Sequence, residues 1–370
     1  MRLECTRKLL DYLGIKPEKK TDDIDPIFTW TANLITVNRR KTLVVVHVPS
    51  RCMFLIYGIT AKRIPEIPEL IKQGIRELLR SEYVHPEMIE KYFADGGETL
   101  TFAANSSRST IAYCNKACER VNMFSNLFEP NDMFQHAMLP WLNDDLIGTK
   151  DYAYTHELLI GSLQERYGEG VQSCGALELE VKLKLFSPCK RRIIIPDNLN
   201  FYQFHRILQG VFEWHDCHLH QFVLERDTLE RPIKVVQPAN TEDFSDFCEV
   251  ETIDSLKLTV QDVFAQYSRI DYEYDFGNDW CHSIKLCRFI EDCQEPYPRC
   301  IQAVGDAPME DSGGAYGFAQ ITEVLKDPNH PEYKEISDWV RSTWWSPLNV
   351  ERINLRIKNI HRRHIPVYYE

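Results

Sequence analysis

Apolar and charged residues alternate without a break from Leu177 to Leu185. Leu177, Leu179, Val181, Leu183 and Leu185 stand against Glu178, Glu180, Lys182 and Lys184. A strand turns successive side chains to opposite faces, so this run predicts a half-buried strand with one wet face. Ile193-Ile194-Ile195 forms a second run that Pro196 ends. Asn200 is placed to cap a helix, with Gln203 at the capping-box position. Phe204, Leu208, Val211 and Phe212 give that helix its apolar stripe.

The first half reads in the same terms. Residues 28–57 carry β-branched and aromatic runs separated by polar turns, which predicts an antiparallel meander. Arg39, Arg40 and Lys41 read as a solvated hairpin tip. Leu70, Ile71, Ile75, Leu78 and Leu79 predict a helix over 67–81. A second short helix starts at Pro86 and ends before Gly96-Gly97. Short strands are expected over 98–104 and 108–113. Gly168 and Gly170 mark a break. Residues 226–255 are acidic and low in periodicity, the loosest segment. With 370 residues there is chain enough for two cores. The expected fold is α+β, with two domains, each a mostly antiparallel sheet with packed helices. They span 1–167 and 174–357, followed by a basic and aromatic tail over 358–370.

Charge is unevenly divided. Residues 1–150 hold 20 basic and 19 acidic side chains, and residues 151–370 hold 23 and 36. An acidic second half repels a phosphate backbone, which disfavours general nucleic-acid binding and favours cationic partners. The tail holding Arg352, Arg356, Lys358, Arg362 and Arg363 is the one basic exception, and such a tail reads as docking internally or onto a partner. Twelve cysteines include no Cys-x-x-Cys pair, so neither a zinc knuckle nor a thioredoxin motif is expected. The N-terminus shows no uninterrupted apolar segment of the signal-peptide kind, and no long apolar run follows. A cytoplasmic, reducing location and no membrane span are the expectations.

Three features could carry chemistry. His215, His218 and His220 cluster beside Cys217, and on a strand over 218–225 His218 and His220 would share one face, as a metal-binding His-x-His pair does. The alternative is polar residues at a strand end. Residues 270–284 read as a hairpin turning at Gly277-Asn278-Asp279, which gathers Asp275, Asn278, Asp279 and His282 near one tip, beside Trp280. A histidine beside a carboxylate is the minimal general base, and also an ordinary turn-stabilising pair. Third, Pro308-Met309-Glu310-Asp311-Ser312-Gly313-Gly314 is a constrained loop before a helix over 316–326. Its carboxylates argue against a phosphate cradle and fit a cation or amine.

In this order, these features resemble the plasmid pRiA4b ORF-3-like family, which is associated with mobile elements. The resemblance runs over residues 174–357. It takes in Pro188-Cys189-Lys190-Arg191-Arg192, Trp214 to Phe222, Tyr274-Asp275-Phe276-Gly277, Tyr297-Pro298-Arg299-Cys300, Pro308 to Gly314 and Trp345-Ser346-Pro347. It implies a compact α+β domain and no established activity. The family usually carries Asp where this chain has Asn278, and often Cys near Asp306, Ala307 and Ser312, so a thiol metal site is not carried over. Residues 1–165 resemble a separate uncharacterised prokaryotic domain.

The favoured function is a ligand- or partner-binding, regulatory module, with His218, His220, Trp280 and Glu310 lining its pocket. The alternative is a metal-assisted hydrolase using His218, His220, Asp275, His282, Glu310 and Asp311, with a divalent metal on His218 and His220. A nucleic-acid-associated role is the third reading. Hydrolysis demands that His218 or His220 come within reach of Asp275, His282, Glu310 or Asp311 around an open pocket.

Overall fold

The structure, a computed structural model, describes residues 1–19, 24–97, 99–148, 151–238 and 250–362. The chain divides into two compact units, Met1–Ser173 and a second starting at Cys174.

In the first unit a five-stranded sheet is built from β1 (Arg2–Cys5), β2 (Thr29–Val37), β3 (Arg40–His47), β4 (Met53–Ile59) and β5 (Thr101–Ala104), in the order β4-β3-β2-β1-β5. β2, β3 and β4 form the predicted antiparallel meander, and β1 runs parallel to both of its neighbours. Asn38 and Arg39 both take positive φ at the first hairpin tip, and Arg39 and Lys41 are exposed there. α1 (Arg7–Leu13), α2 (Ile67–Ser81), α3 (Pro86–Gly96), α4 (Arg108–Met123), α5 (Leu139–Leu142) and α6 (Thr155–Tyr167) complete the unit, with a small hairpin of β6 (Leu146–Ile147) and β7 (Ala153–Tyr154). α2 buries its predicted face, Leu70, Ile71, Ile75, Leu78 and Leu79. The strand expected over 108–113 is instead the start of α4. The Ser107 hydroxyl accepts from Thr110 N, and the buried face consists of Thr110, Cys114, Ala117, Cys118 and Val121.

The second unit is an α+β domain around an eight-stranded sheet. Its strands are β8 (Cys174–Leu183), β9 (Cys189–Pro196), β10 (His220–Arg226), β11 (Pro232–Gln237), β12 (Glu251–Asp254), β13 (Arg269–Tyr274), β14 (Trp280–Cys293) and β15 (Arg299–Val304). They run in the order β12-β11-β10-β13-β14-β8-β9-β15, antiparallel except for β11 with β12. Thus two strands come from the segment read as loosest. Among its helices are α7 (Phe201–Phe212), α8 (Val260–Phe264), α9 (Gly314–Lys326), α10 (Tyr333–Ser342) and α11 (Val350–Ile357).

Leu177, Leu179, Val181 and Leu183 of β8 pack with Phe204, Leu208, Val211 and Phe212 of α7 and with Ile353 and Ile357 of α11. Full burial of one such side chain is worth about 1.5–3 kcal/mol. α7 starts at the predicted capping box, Asn200 with Gln203. The other face of β8 is less wet than the alternation implies. Glu178 is buried between Arg192 and Arg288, and Glu180 is paired with Lys182 and Lys190. The basic residues after α10 also dock internally. Arg352 grips Glu213 with two bonds, at 2.6 and 2.9 Å, and Arg356 donates to the Trp214 carbonyl at 2.6 Å. Residues 358–362 follow α11 directly, and Gln203 of α7 donates to the His361 carbonyl. Arg363 and the rest of the predicted tail lie outside the described residues.

Candidate functional site

Three segments meet at one end of the second sheet: the link from α7 to β10, the β13–β14 turn, and the loop before α9. The link leaves α7 through Glu213 and turns again at Asp216, both at positive φ. Three side chains fix it. Asp216 N donates to Gln209, Cys217 N donates to the Tyr274 hydroxyl, and His215 N donates to Glu310. Tyr274 in turn donates to the other Glu310 oxygen. The strand therefore begins at His220 rather than His218, and the two histidines do not share a face as a His-x-His pair.

The β13–β14 turn is longer than the sequence reading. Tyr274 pairs with Trp280 across the ladder, leaving five residues between them. Asp275 takes positive φ and accepts from Gly277 N at 3.1 Å, Asn278 N at 3.2 Å and the Asn278 amide. Asn278 thus clamps Asp275, where an aspartate would place a second carboxylate against it. The paired glycines of the third loop allow close packing on this turn. Gly314 has φ +68°, and a Cβ there would stand 2.8 Å from the Asn278 carbonyl oxygen.

These contacts bring His218, Asp275 and Asp311 together. His218 Nε2 lies 3.2 Å from Asp311 Oδ1 and 3.6 Å from Asp275 Oδ2, and the three groups each offer an atom within 4.8 Å of the others. His218 Nε2 makes no hydrogen bond to either carboxylate.

His220 goes elsewhere. It stacks flat on His205 of α7, ring centroids 3.4 Å apart and planes 3° apart. His205 Nε2 meets Asp216 at 2.7 Å and Nδ1 meets the Tyr272 hydroxyl at 2.8 Å. Gln209 donates to the same hydroxyl, and Arg206 donates to the second Asp216 oxygen. A neutral His205 with its proton on Nε2 satisfies this ring of bonds. Desolvation, the largest effect, pushes His205 below the usual imidazole range. Burial alone would raise Asp216, but hydrogen bonds and charge from His205 and Arg206 outweigh it and hold the carboxyl down at about 2.

Two further predicted residues are core residues. Trp280 is 1% exposed. His282 faces Phe212, Trp214 and Tyr272, hydrogen-bonds the Tyr272 carbonyl, and is pushed down to about 3 by desolvation. It pairs with Tyr272 inside the ladder, two positions from the turn, so it does not reach the tip.

A cleft of about 430 Å³ opens beside the converging loops. Glu310 and Asp311 line it with His215 and Cys217, and Trp214, Trp344 and Trp345 supply aromatic walls. Arg191, Arg352 and Arg356 also line it, and each already donates to protein acceptors. His218, His220 and Trp280 are not among its lining residues. Trp344 is unusual, being 88% exposed at φ +59°, where a bulky side chain is strained. The sequence reading missed His205, Asp216, Arg356 and Trp344 as site residues. A signal existed for His205, one turn after Phe201 on the apolar face of α7, where a histidine requires a polar partner.

The second unit is thus an α+β domain with a histidine–carboxylate cluster beside an aromatic cleft. Its sequence assigns it further. Residues 175–354 match the model of the plasmid pRiA4b ORF-3-like protein family, and the chain belongs to that family. Residues 2–158 match a domain of unknown function, DUF6933. The chain is 30% identical over 168 residues to the uncharacterized protein y4hQ of Sinorhizobium fredii strain NGR234, a match covering 45% of this chain and 81% of that protein. It is also similar to the crystal structure of a protein of unknown function from Methanosarcina mazei Go1. That match has 26% identity and a TM-score of 0.41, covering 48% of this chain and 96% of the other.

Proposed function

We propose that the second domain is a binding module whose cleft takes a cationic ligand, an amine or guanidine group on a small or peptide-like molecule. One observation carries this reading: the carboxylates of Glu310 and Asp311 stand in the cleft beside its indoles. The three guanidiniums of the lining have N–H groups engaged with protein carbonyls or with Glu213, while Asp311 is exposed at the edge of the cleft. Three indoles stand around it, and aromatic faces beside carboxylates attract cations. The described cysteines are all free, which fits a reducing, cytoplasmic setting. No helix among the described residues is long and apolar enough to cross a membrane. A thermal-shift screen of the full chain tests the reading. Lysine amide and arginine amide should raise the second domain's melting temperature, and inorganic phosphate should not. Stabilisation by phosphate alone refutes it.

The convergence of His218 with Asp275 and Asp311 favours a second reading, metal-assisted hydrolysis at the cleft edge. Under that reading Mn²⁺ gives the chain an ester- or phosphodiester-cleaving activity that His218→Asn abolishes. Under the binding reading no such activity appears.

A further inference from the structure

His220 presents an imbalance. It is 6% exposed, and its Nε2 is shielded from solvent with no hydrogen-bond partner. An unpaired buried polar atom costs about 1–3 kcal/mol, so its position requires a physical reason. Its neighbours are not apolar. His205 and Asp216 each offer an atom such that all three lie within 4.8 Å of one another. A water needs two to four polar partners to be held in such a place. A water there finds only the minimum of two, His220 Nε2 and the spare lone pair of Asp216 Oδ1, because His205 Nε2 is already bonded to Asp216 at 2.7 Å. An ion that replaces the proton between them satisfies all three groups at once.

We propose that His205, Asp216 and His220 are the ligands of a divalent transition-metal ion of the zinc or ferrous class. Two imidazoles and one carboxylate suit such ions, whereas magnesium and calcium prefer all-oxygen sites. The surroundings match an outer shell. The Tyr272 hydroxyl sits on His205 Nδ1 and is itself held by Gln209, and Arg206 holds the far oxygen of Asp216. Such bonds orient metal ligands. On binding, the His205 proton moves from Nε2 to Nδ1, the Tyr272 hydroxyl turns its own hydrogen off Nδ1 and accepts there instead, and Nε2 is freed for the ion. No proton is lost from the site. The stacked rings carry parallel in-plane lone pairs, so one must tilt to share an ion. His220 is the ring that turns, because its Nε2 has no hydrogen-bond partner, while His205 is held at both nitrogens. The Asp216 side chain is 22% exposed and gives the ion its entry. This site is separate from the His218 cluster and does not depend on the cleft's ligand.

The test uses the full chain, stripped with chelator and titrated with Zn²⁺ by calorimetry and with Co²⁺ by visible absorption. One ion per chain is expected, with a Co²⁺ spectrum free of thiolate charge-transfer bands. His220→Asn should weaken Zn²⁺ binding at least a hundredfold, and Arg206→Gln about tenfold through the outer shell. The double variant His218→Asn, Asp311→Asn should bind as the parent does. Circular dichroism and the melting curve of the metal-free His220→Asn chain establish that it folds. If that variant is unfolded, the Arg206→Gln titration decides. Absence of saturable binding overturns the proposal. So do thiolate bands, binding that survives His220→Asn in a folded chain, and binding lost with the His218 and Asp311 pair.

Discussion

Replacing Asp216 with asparagine probes the junction between α7 and β10 most sharply. The carboxylate accepts from His205 at 2.7 Å and from Arg206 at 2.6 Å, and its side chain is only 22% exposed. Asparagine supplies one acceptor oxygen and one amide donor, so one of the two N–H groups facing it meets another donor. The magnitude follows from the carboxyl itself. A fall from the ordinary carboxyl value of 3.8 to about 2 corresponds to about 2 kcal/mol of native-state preference for the charged form. Because the folded value is the lower one, this stability is present in full above pH ~4. It is lost as pH falls towards ~2. The assay is urea unfolding followed by tryptophan fluorescence, which reports chiefly the second domain because Trp214, Trp280, Trp339, Trp344 and Trp345 lie there. Asp216→Asn should lose about 2 kcal/mol at pH 7, and the gap to the parent should close below pH 4. A loss under about 0.5 kcal/mol, or a gap that stays constant down to pH 2, refutes the reasoning.

Three other outcomes follow from the same geometry. Gly314→Ala forces a Cβ to within 2.8 Å of the Asn278 carbonyl at φ +68°, so the second domain should lose at least about 1 kcal/mol in urea unfolding. Trp344→Gly removes an exposed side chain from a left-handed backbone, and should stabilise the domain by about 1 kcal/mol while weakening amine binding about tenfold. His47 and His282 are buried and neutral, pushed down by desolvation to about 4 and about 3. Both domains should therefore be most stable above pH ~6.5 and lose stability as pH drops below it, seen as falling melting temperatures between pH 7 and pH 4.

Local pattern made much of the fold legible. The alternation in β8, the capping box of α7 and the apolar stripe of α2 each depend on neighbours within a few residues. α4 was hidden because its buried face uses Thr110, Cys114, Ala117 and Cys118, small side chains that weigh little in a hydrophobic pattern. β12 escaped because it pairs in parallel with β11 at the sheet edge, a pairing no local turn encodes. The site followed the same division. Asp275 and Asp311 were visible as turn and loop carboxylates, and they do meet His218. That His218 and His220 part company depends on the positive φ of Asp216 and on a bond from Cys217 N to Tyr274, 57 residues away. His282 obeyed strand periodicity rather than proximity to the turn, and so points into the core.

Titration calorimetry of the full chain shows directly whether the cleft beside Asp311 binds cations. Arginine amide should bind saturably at one site and weaken about tenfold with Asp311→Asn, while inorganic phosphate gives no heat of binding. Saturable phosphate binding with no response to arginine amide would contradict cation binding there.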